Sequence, residues 1–179
     1  LRSISGEIEP FEGQISKEED SRLVFGSIPQ DLQLAEASTV FKNALSGCLH
    51  RYNSFETLLG FPEKEKEQAL ELLEELGLAR KLGQWTSTLS RGERQRLSIA
   101  RAMLASPMVM LADEPVASLD EEWAFKVINL LKTHARQSQS SILCSLHDRK
   151  QVERHADRVL RIDPSGNGDW TLEELTGQE

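Results

Sequence analysis

The chain has 179 residues, 39% hydrophobic and 28% charged, the composition of one globular domain with room for a small subdomain, not of a disordered segment. A formal net charge of -8 excludes the basic footprint of a nucleic-acid binder, and no apolar run approaches the roughly 20 residues that cross a bilayer. No secretory signal is recognisable, and Cys48 and Cys144 read as buried or partly buried thiols.

The chain opens Leu1-Arg2-Ser3 without methionine and reads as the interior of something longer. Residues 1–20 end one element and then turn at Gly6, Pro10 and Gly13. Residues 22–29 are dense in β-branched and aromatic side chains and form a strand candidate closed by Pro29. Gln30 follows at once; a glutamine there is either a ligand group or a solvated loop residue. Residues 39–49 predict a helix with Val40, Ala44 and Leu45 on one face and Ser38 or Thr39 as its cap. Residues 51–61 read as an ordered aromatic connection. Residues 63–76 predict an amphipathic helix, with Ala69, Leu72, Leu73 and Leu76 on its apolar stripe, a solvated Glu/Lys face and Gly77 at its C-terminal end.

Ser90 starts a helix running to about Ala105, with Leu97, Ala100, Met103 and Leu104 inward; Pro107 stops it and a strand at 108–112 begins. Residues 121–135 predict a third strong helix carrying Ala124, Val127, Ile128 and Leu131. A strand at 141–146, a helix at 149–155 and a strand at 158–162 follow, then a turn and a short segment around 170–175. Strands alternating with helices predict an α/β domain with a largely parallel sheet, and the helix-only stretch between Gln30 and Ser90 predicts an insertion hung on it.

Ligands of parallel sheets gather beyond the carboxyl ends of the strands, where Gln30, the pair Asp113-Glu114 and His147 fall. Adjacent strand positions face opposite ways, so the two carboxylates can divide their work. One can serve Mg²⁺, directly or through its water shell, and the other can polarise a water for in-line attack on a phosphoryl group. An isolated Asp-Glu pair is equally an exposed turn. Ser90 as cap and Gly92 in the first turn leave backbone N–H groups at the positive end of a helix, an anion site. Ser90 with Glu93 also fits the capping box of an ordinary helix.

The conjunction is specific: Leu89-Ser90-Arg91-Gly92-Glu93 with Arg94-Gln95-Arg96, an apolar run into Asp113-Glu114-Pro115, Ser118-Leu119-Asp120, and His147 33 residues beyond Glu114. Over essentially its whole length the chain resembles the ATP-binding subunits of ABC transporters. The resemblance implies an α/β fold of the P-loop NTPase (RecA-like) type, with a largely parallel sheet core and an inserted α-helical subdomain. Residues 1–30 and 98–179 would form the core, its first part missing, and residues 31–97 the helical subdomain with the signature loop.

Residues 89–120 resemble the signature loop, Walker B strand and D-loop. The implied cofactors are ATP and Mg²⁺, with Asp113 and Gln30 on the metal, Glu114 positioning and activating water, and His147 on the γ-phosphate. Ser90 and Gly92, flanked by Arg91 and Glu93, would bind ATP held by the opposite subunit of a head-to-tail dimer, with Asp120 at its interface. The helical part would dock on a membrane permease, with a substrate-binding protein beyond it, which makes the chain cytoplasmic and peripheral on the inner face of the membrane. Asn43-Ala44-Leu45-Ser46-Gly47, the aromatic connection, and the stretches 112–120 and 145–159 look most like the phosphonate importer branch.

Two departures stand out. Arg91 and Glu93 occupy positions where the family commonly has glycine and glutamine. No Gly-x-x-x-x-Gly-Lys-Ser/Thr loop occurs in the chain, so the polypeptide is expected to bind ATP weakly and not to turn it over. A non-catalytic subunit supplying only its signature loop, or a soluble ABC-type ATPase outside transport, are the competing readings.

Overall fold

The computed structural model describes residues 1–6, 8–15, 25–53, 60–146, 149–162 and 170–175. They fall into two compact units, Leu1–Ser145 and Leu146–Glu179. In the first, α1 (Arg2–Ser5) precedes β1 (Phe25–Ile28), α2 (Val40–Leu45), α3 (Glu63–Glu75), α4 (Arg91–Leu104), β2 (Val109–Asp113), α5 (Glu121–Ser138) and β3 (Ser141–Ser145). The strands form a parallel sheet in the order β1-β2-β3, with Ile28 opposite Ala112 and Asp113 opposite Ser145. The register aligns the carboxyl ends of all three strands, the edge at which parallel sheets collect ligands.

Helix α4 joins the sheet to the helical stretch before it. Leu97, Ile99, Ala100 and Met103 are buried along it, and it packs on β1, α2 and α3. Thr39 caps α2, its Oγ1 accepting from Lys42 N–H at 3.3 Å, but the predicted helix tightens after Leu45 into a 3₁₀ turn, Ser46–Arg51. At that crossing the backbones nearly touch. A Cβ on Gly47 would lie 2.1 Å from the Arg101 carbonyl oxygen, so only glycine lets the turn lie on α4.

In α3, Ala69, Leu73 and Leu76 are buried as the periodicity requires, and Gly77 follows in the left-handed region at φ +69°. One member of its charged face is an exception. Glu65 is 4% exposed because it sits one turn before Ala69 on the apolar stripe. Its carboxylate pairs with Arg51 Nη1 at 3.1 Å and accepts from Tyr52 O–H at 2.8 Å and the Cys48 thiol at 3.2 Å. Burial pushes the Glu65 carboxyl upward, but those three partners together outweigh it and hold it below the ordinary range. Burial first, and then the same carboxylate, push the Cys48 thiol up to about 11, so it is a packed hydrophobe and not a reactive group.

The second unit holds α6 (Arg149–His155) and an antiparallel pair, β4 (Arg158–Ile162) with β5 (Trp170–Glu174). Alternation predicted β4, but its partner is antiparallel, a pairing that a connection too short for a crossover permits. Leu160 pairs with Leu172 and Ile162 with Trp170 on one exposed face, while Arg161 Nε meets Glu173 at 3.2 Å.

Candidate functional site

A cavity of about 320 Å³ opens at the carboxyl ends of β1 and β2. Gln30, Asp31 and Gln33 line it from the loop after β1, Asp113 from the end of β2, and Ser5 from α1. Two of the sequence-predicted residues, Gln30 and Asp113, are therefore brought to one space. Their donors, an amide and a carboxylate, are hard oxygen ligands, and the parallel register puts them on the same edge of the sheet. A magnesium ion takes one or two protein oxygens and keeps several waters, which suits this pair and this volume. Among the described residues no group of three or more His, Cys, Asp and Glu is arranged to hold a metal ion, so the donor set is not that of an all-protein cage.

Asp113 and Glu114 do part company, but not by strand pleat. Strand β2 stops at Asp113, and Glu114 turns away with a left-handed backbone at φ +49°. Such a conformation costs a non-glycine residue of order 1–3 kcal/mol and persists where neighbours over-determine it. Ser145 is that neighbour: its hydroxyl donates to Asp113 Oδ1 at 2.6 Å and accepts from Glu114 N–H at 3.0 Å. One hydroxyl from β3 therefore sets both members of the pair. Sequence reasoning took Ser145 only as a strand residue before His147; the available signal was a polar side chain at the carboxyl end of a strand adjacent to β2. Cys144 beside it is pushed up to about 12, chiefly by burial and then by the Asp113 charge. His147 lies outside the described residues.

At the start of α4, where the sequence suggests an anion site, the helix is capped. Ser90 Oγ accepts from Glu93 N–H at 3.3 Å and Glu93 Oε2 accepts from Ser90 N–H at 2.9 Å, a complete capping box. Glu93 Oε1 also pairs with Lys81 Nζ at 2.8 Å. Lys81 is the largest cause holding the Glu93 carboxyl low, with the Ser90 bond adding to it against burial. The box uses two of the helix's orphan N–H groups and leaves those of Arg91 and Gly92 for an anion. Arg91 is exposed.

Gly92 has an internal reason to be glycine. A Cβ there would lie 3.2 Å from the Ser118 carbonyl oxygen and 3.5 Å from Leu119 Cδ2. The start of α4 thus abuts the turn that delivers Asp120, whose Oδ1 caps α5 by accepting from Trp123 N–H at 2.8 Å. Ser90, Gly92, Glu93 and Asp120 are grouped at these two helix starts and do not line the cavity.

The other arginines of α4 are turned to the protein itself. Arg94 reaches Glu36 at 2.9 Å; Arg96 donates to the Leu76 carbonyl at 2.7 Å and lies 3.9 Å over the Trp123 ring. Arg101 holds the loop beyond Gln30. These three arginines form an internal bracket.

The sequence profile of the ABC transporter family matches residues 1–117. The chain is similar to the phosphonates import ATP-binding protein PhnC of Treponema denticola, 35% identical over 90% of this chain and 68% of the relative. It is similar to the PhnC protein of Hydrogenovibrio crunogenus, 37% identical over 90% of this chain and 64% of the relative. It thus spans about two thirds of the length of these proteins. Among solved structures it resembles the dimeric ATP-binding cassette MJ0796 in a post-hydrolysis state bound to ADP and Pi, with a TM-score of 0.71, 27% identity, and 88% of this chain and 65% of that one covered.

Proposed function

Because the chain belongs to the ABC transporter family, we propose that it is the ATP-hydrolysing subunit of an importer whose cargo is a phosphonate or a related small anion. The observation that carries this reading is the convergence of Gln30 and Asp113 on one cavity at the carboxyl ends of adjacent parallel strands. Residues 1–30 and 98–179 serve as the ATPase core and residues 31–97 as the helical subdomain that meets the permease. Asp113 and Gln30 hold Mg²⁺ with ATP. Glu114, set at an angle to Asp113 by its left-handed backbone, orients and activates the attacking water, and His147 contacts the γ-phosphate.

The exposed start of α4 works in the other direction. Ser90 and the N–H groups of Arg91 and Gly92 meet the phosphate on an opposite subunit, so two copies, or one copy and a paired subunit, close head-to-tail with Asp120 between the sites. Lys81 offsets the negative charge that Glu93 brings to that helix start. No helix among the described residues is long and apolar enough to cross a membrane, and attachment to the inner face runs through the permease.

Residues 1–179 by themselves bind ATP weakly and do not turn it over, since the chain contains no Gly-Lys-Ser/Thr loop to cradle the β- and γ-phosphates. A second reading, resting on the complete cap at Ser90, is a non-catalytic subunit donating only its signature loop. Three measurements separate these. Mn²⁺ titration by electron paramagnetic resonance should show binding that Asp113→Asn removes; equal binding by both proteins overturns the cavity assignment. ATP turnover above background by the purified chain overturns the predicted inactivity. Co-purification with a membrane permease supports the importer, and recovery of soluble partners alone sinks it.

A further inference from the structure

The loop that carries Gln30 to the cavity is bent in a way its own residues do not favour. Leu32 and Gln33 are consecutive non-glycine residues in the left-handed region, at φ +60° and +44°. Leu32 N–H reaches the Pro29 carbonyl at 3.0 Å and Gln33 N–H the Asp31 carbonyl at 2.7 Å, so two tight turns overlap. Such turns with positive φ are rare and strained and need outside support. The support comes from α4. Arg101 Nη2 donates to the Leu32 carbonyl at 2.8 Å and Nη1 to the Gln33 carbonyl at 2.6 Å, and Ser98 Oγ donates to the Leu32 carbonyl at 3.4 Å.

The chemistry of that arginine is unusual. Burial depresses its pKa, with the Asp31 charge acting the other way, yet among the described residues its guanidinium makes no ion pair. Both its planar donors go to neutral carbonyls of one turn, a two-point grip that an ammonium cannot reproduce. Of the two residues it holds, Gln33 lines the cavity, and Gln30 and Asp31, which also line it, lie in the turn just upstream.

We propose that Arg101, assisted by Ser98, is a positioning residue that sets the Leu32–Gln33 turn and thereby keeps Gln30 beside Asp113 as a cation ligand. The inference rests on the reading of this cavity as a cation site. It makes α4, whose first turn carries Ser90 and Gly92, also the element that shapes the metal cavity.

The test uses the whole 179-residue chain, with Mn²⁺ alone as probe and hydrogen exchange as a second readout. Arg101→Ala should speed exchange at Leu32 and Gln33 by about tenfold while the amides of α4 stay protected. It should weaken Mn²⁺ binding by about fivefold, as Gln30→Ala does, and the double variant should be no weaker than either single one. Leu32→Gly, which removes the cost of positive φ, should restore binding in the Arg101→Ala background. Arg101→Lys, the variant to use if the alanine protein does not fold, should fall between the two. Unchanged Mn²⁺ affinity in Arg101→Ala while Gln30→Ala weakens it, or additive losses, overturns the role of Arg101 and leaves the cation site standing. Wild-type binding that neither Gln30→Ala nor Asp113→Asn alters removes the cation site and the inference with it.

Discussion

Ser145→Ala removes a single oxygen that serves both carboxylate positions. The hydroxyl's bond to Asp113 Oδ1, at 2.6 Å, is charge-assisted, and hydrogen bonds to charged groups contribute about 1.5–3 kcal/mol. Both residues are half-buried, so water recovers part of it and the lower end of the range applies. Glu114 N–H loses its acceptor at 3.0 Å as well, at a residue held in the left-handed region. The sum is about 2 kcal/mol, up to a 30-fold fall in the folding equilibrium. Urea unfolding followed by circular dichroism should show the midpoint dropping by about 1 M at a slope near 2 kcal/mol/M, with the slope unchanged. Ser145→Thr keeps the hydroxyl and should stay within about 0.5 kcal/mol of the parent. In an Asp113→Asn background the alanine change should cost about 1 kcal/mol less, because the acceptor is then neutral. An equal cost in both backgrounds would refute the reasoning, since the hydroxyl would then not be acting through the Asp113 charge.

Gly47→Ala places a Cβ 2.1 Å from the backbone oxygen of Arg101, which cannot yield without shifting α4; a loss of about 3 kcal/mol is expected in the same urea experiment. Gln139, the exposed left-handed residue ending α5 at φ +52°, should accept glycine with a gain of about 0.5–1 kcal/mol in thermal unfolding. His134 is half-buried, its Nε2 has no hydrogen-bond partner among the described residues, and burial lowers its pKa. Its folded pKa lies below the unfolded value near 6.5, so the stability it contributes is present above about pH 6.5 and is lost as pH falls through the folded pKa. A His134→Gln protein should therefore show a flatter stability profile between about pH 5 and 7, and an unchanged slope in denaturation measured across that window would count against the burial argument.

The helices and strands of the first unit were legible because their signals are local. The stripe of α3, the Ser90–Glu93 box, the Thr39 cap and Pro107 are read within one or two turns of chain, where backbone hydrogen bonding and side-chain period act together. Strand β5 was not legible as a strand: the alternation of Trp170, Thr171, Leu172 and Glu173 is too short a run to be read alone, and pairing with β4 is what makes them extended. Glu65 escaped for a related reason, since a carboxylate on an apolar stripe reads as solvated until Arg51, Tyr52 and Cys48 arrive from the preceding turn.

By itself, the order of residues from Leu89 to Asp120, with His147 beyond it, carried the family resemblance, the strand-end location of Asp113 and Glu114, and the capped start of α4. The tertiary structure alone decided how those groups are held. Ser145 meets Asp113 from 32 residues away, Arg101 grips Leu32 from 69, and Gly92 leaves space for Ser118 in another turn. Contacts at such separations leave no period or spacing in the chain, because each partner is an ordinary residue in its own neighbourhood. Only the parallel register of β1, β2 and β3, with α4 packed on β1, brings the partners within bonding distance.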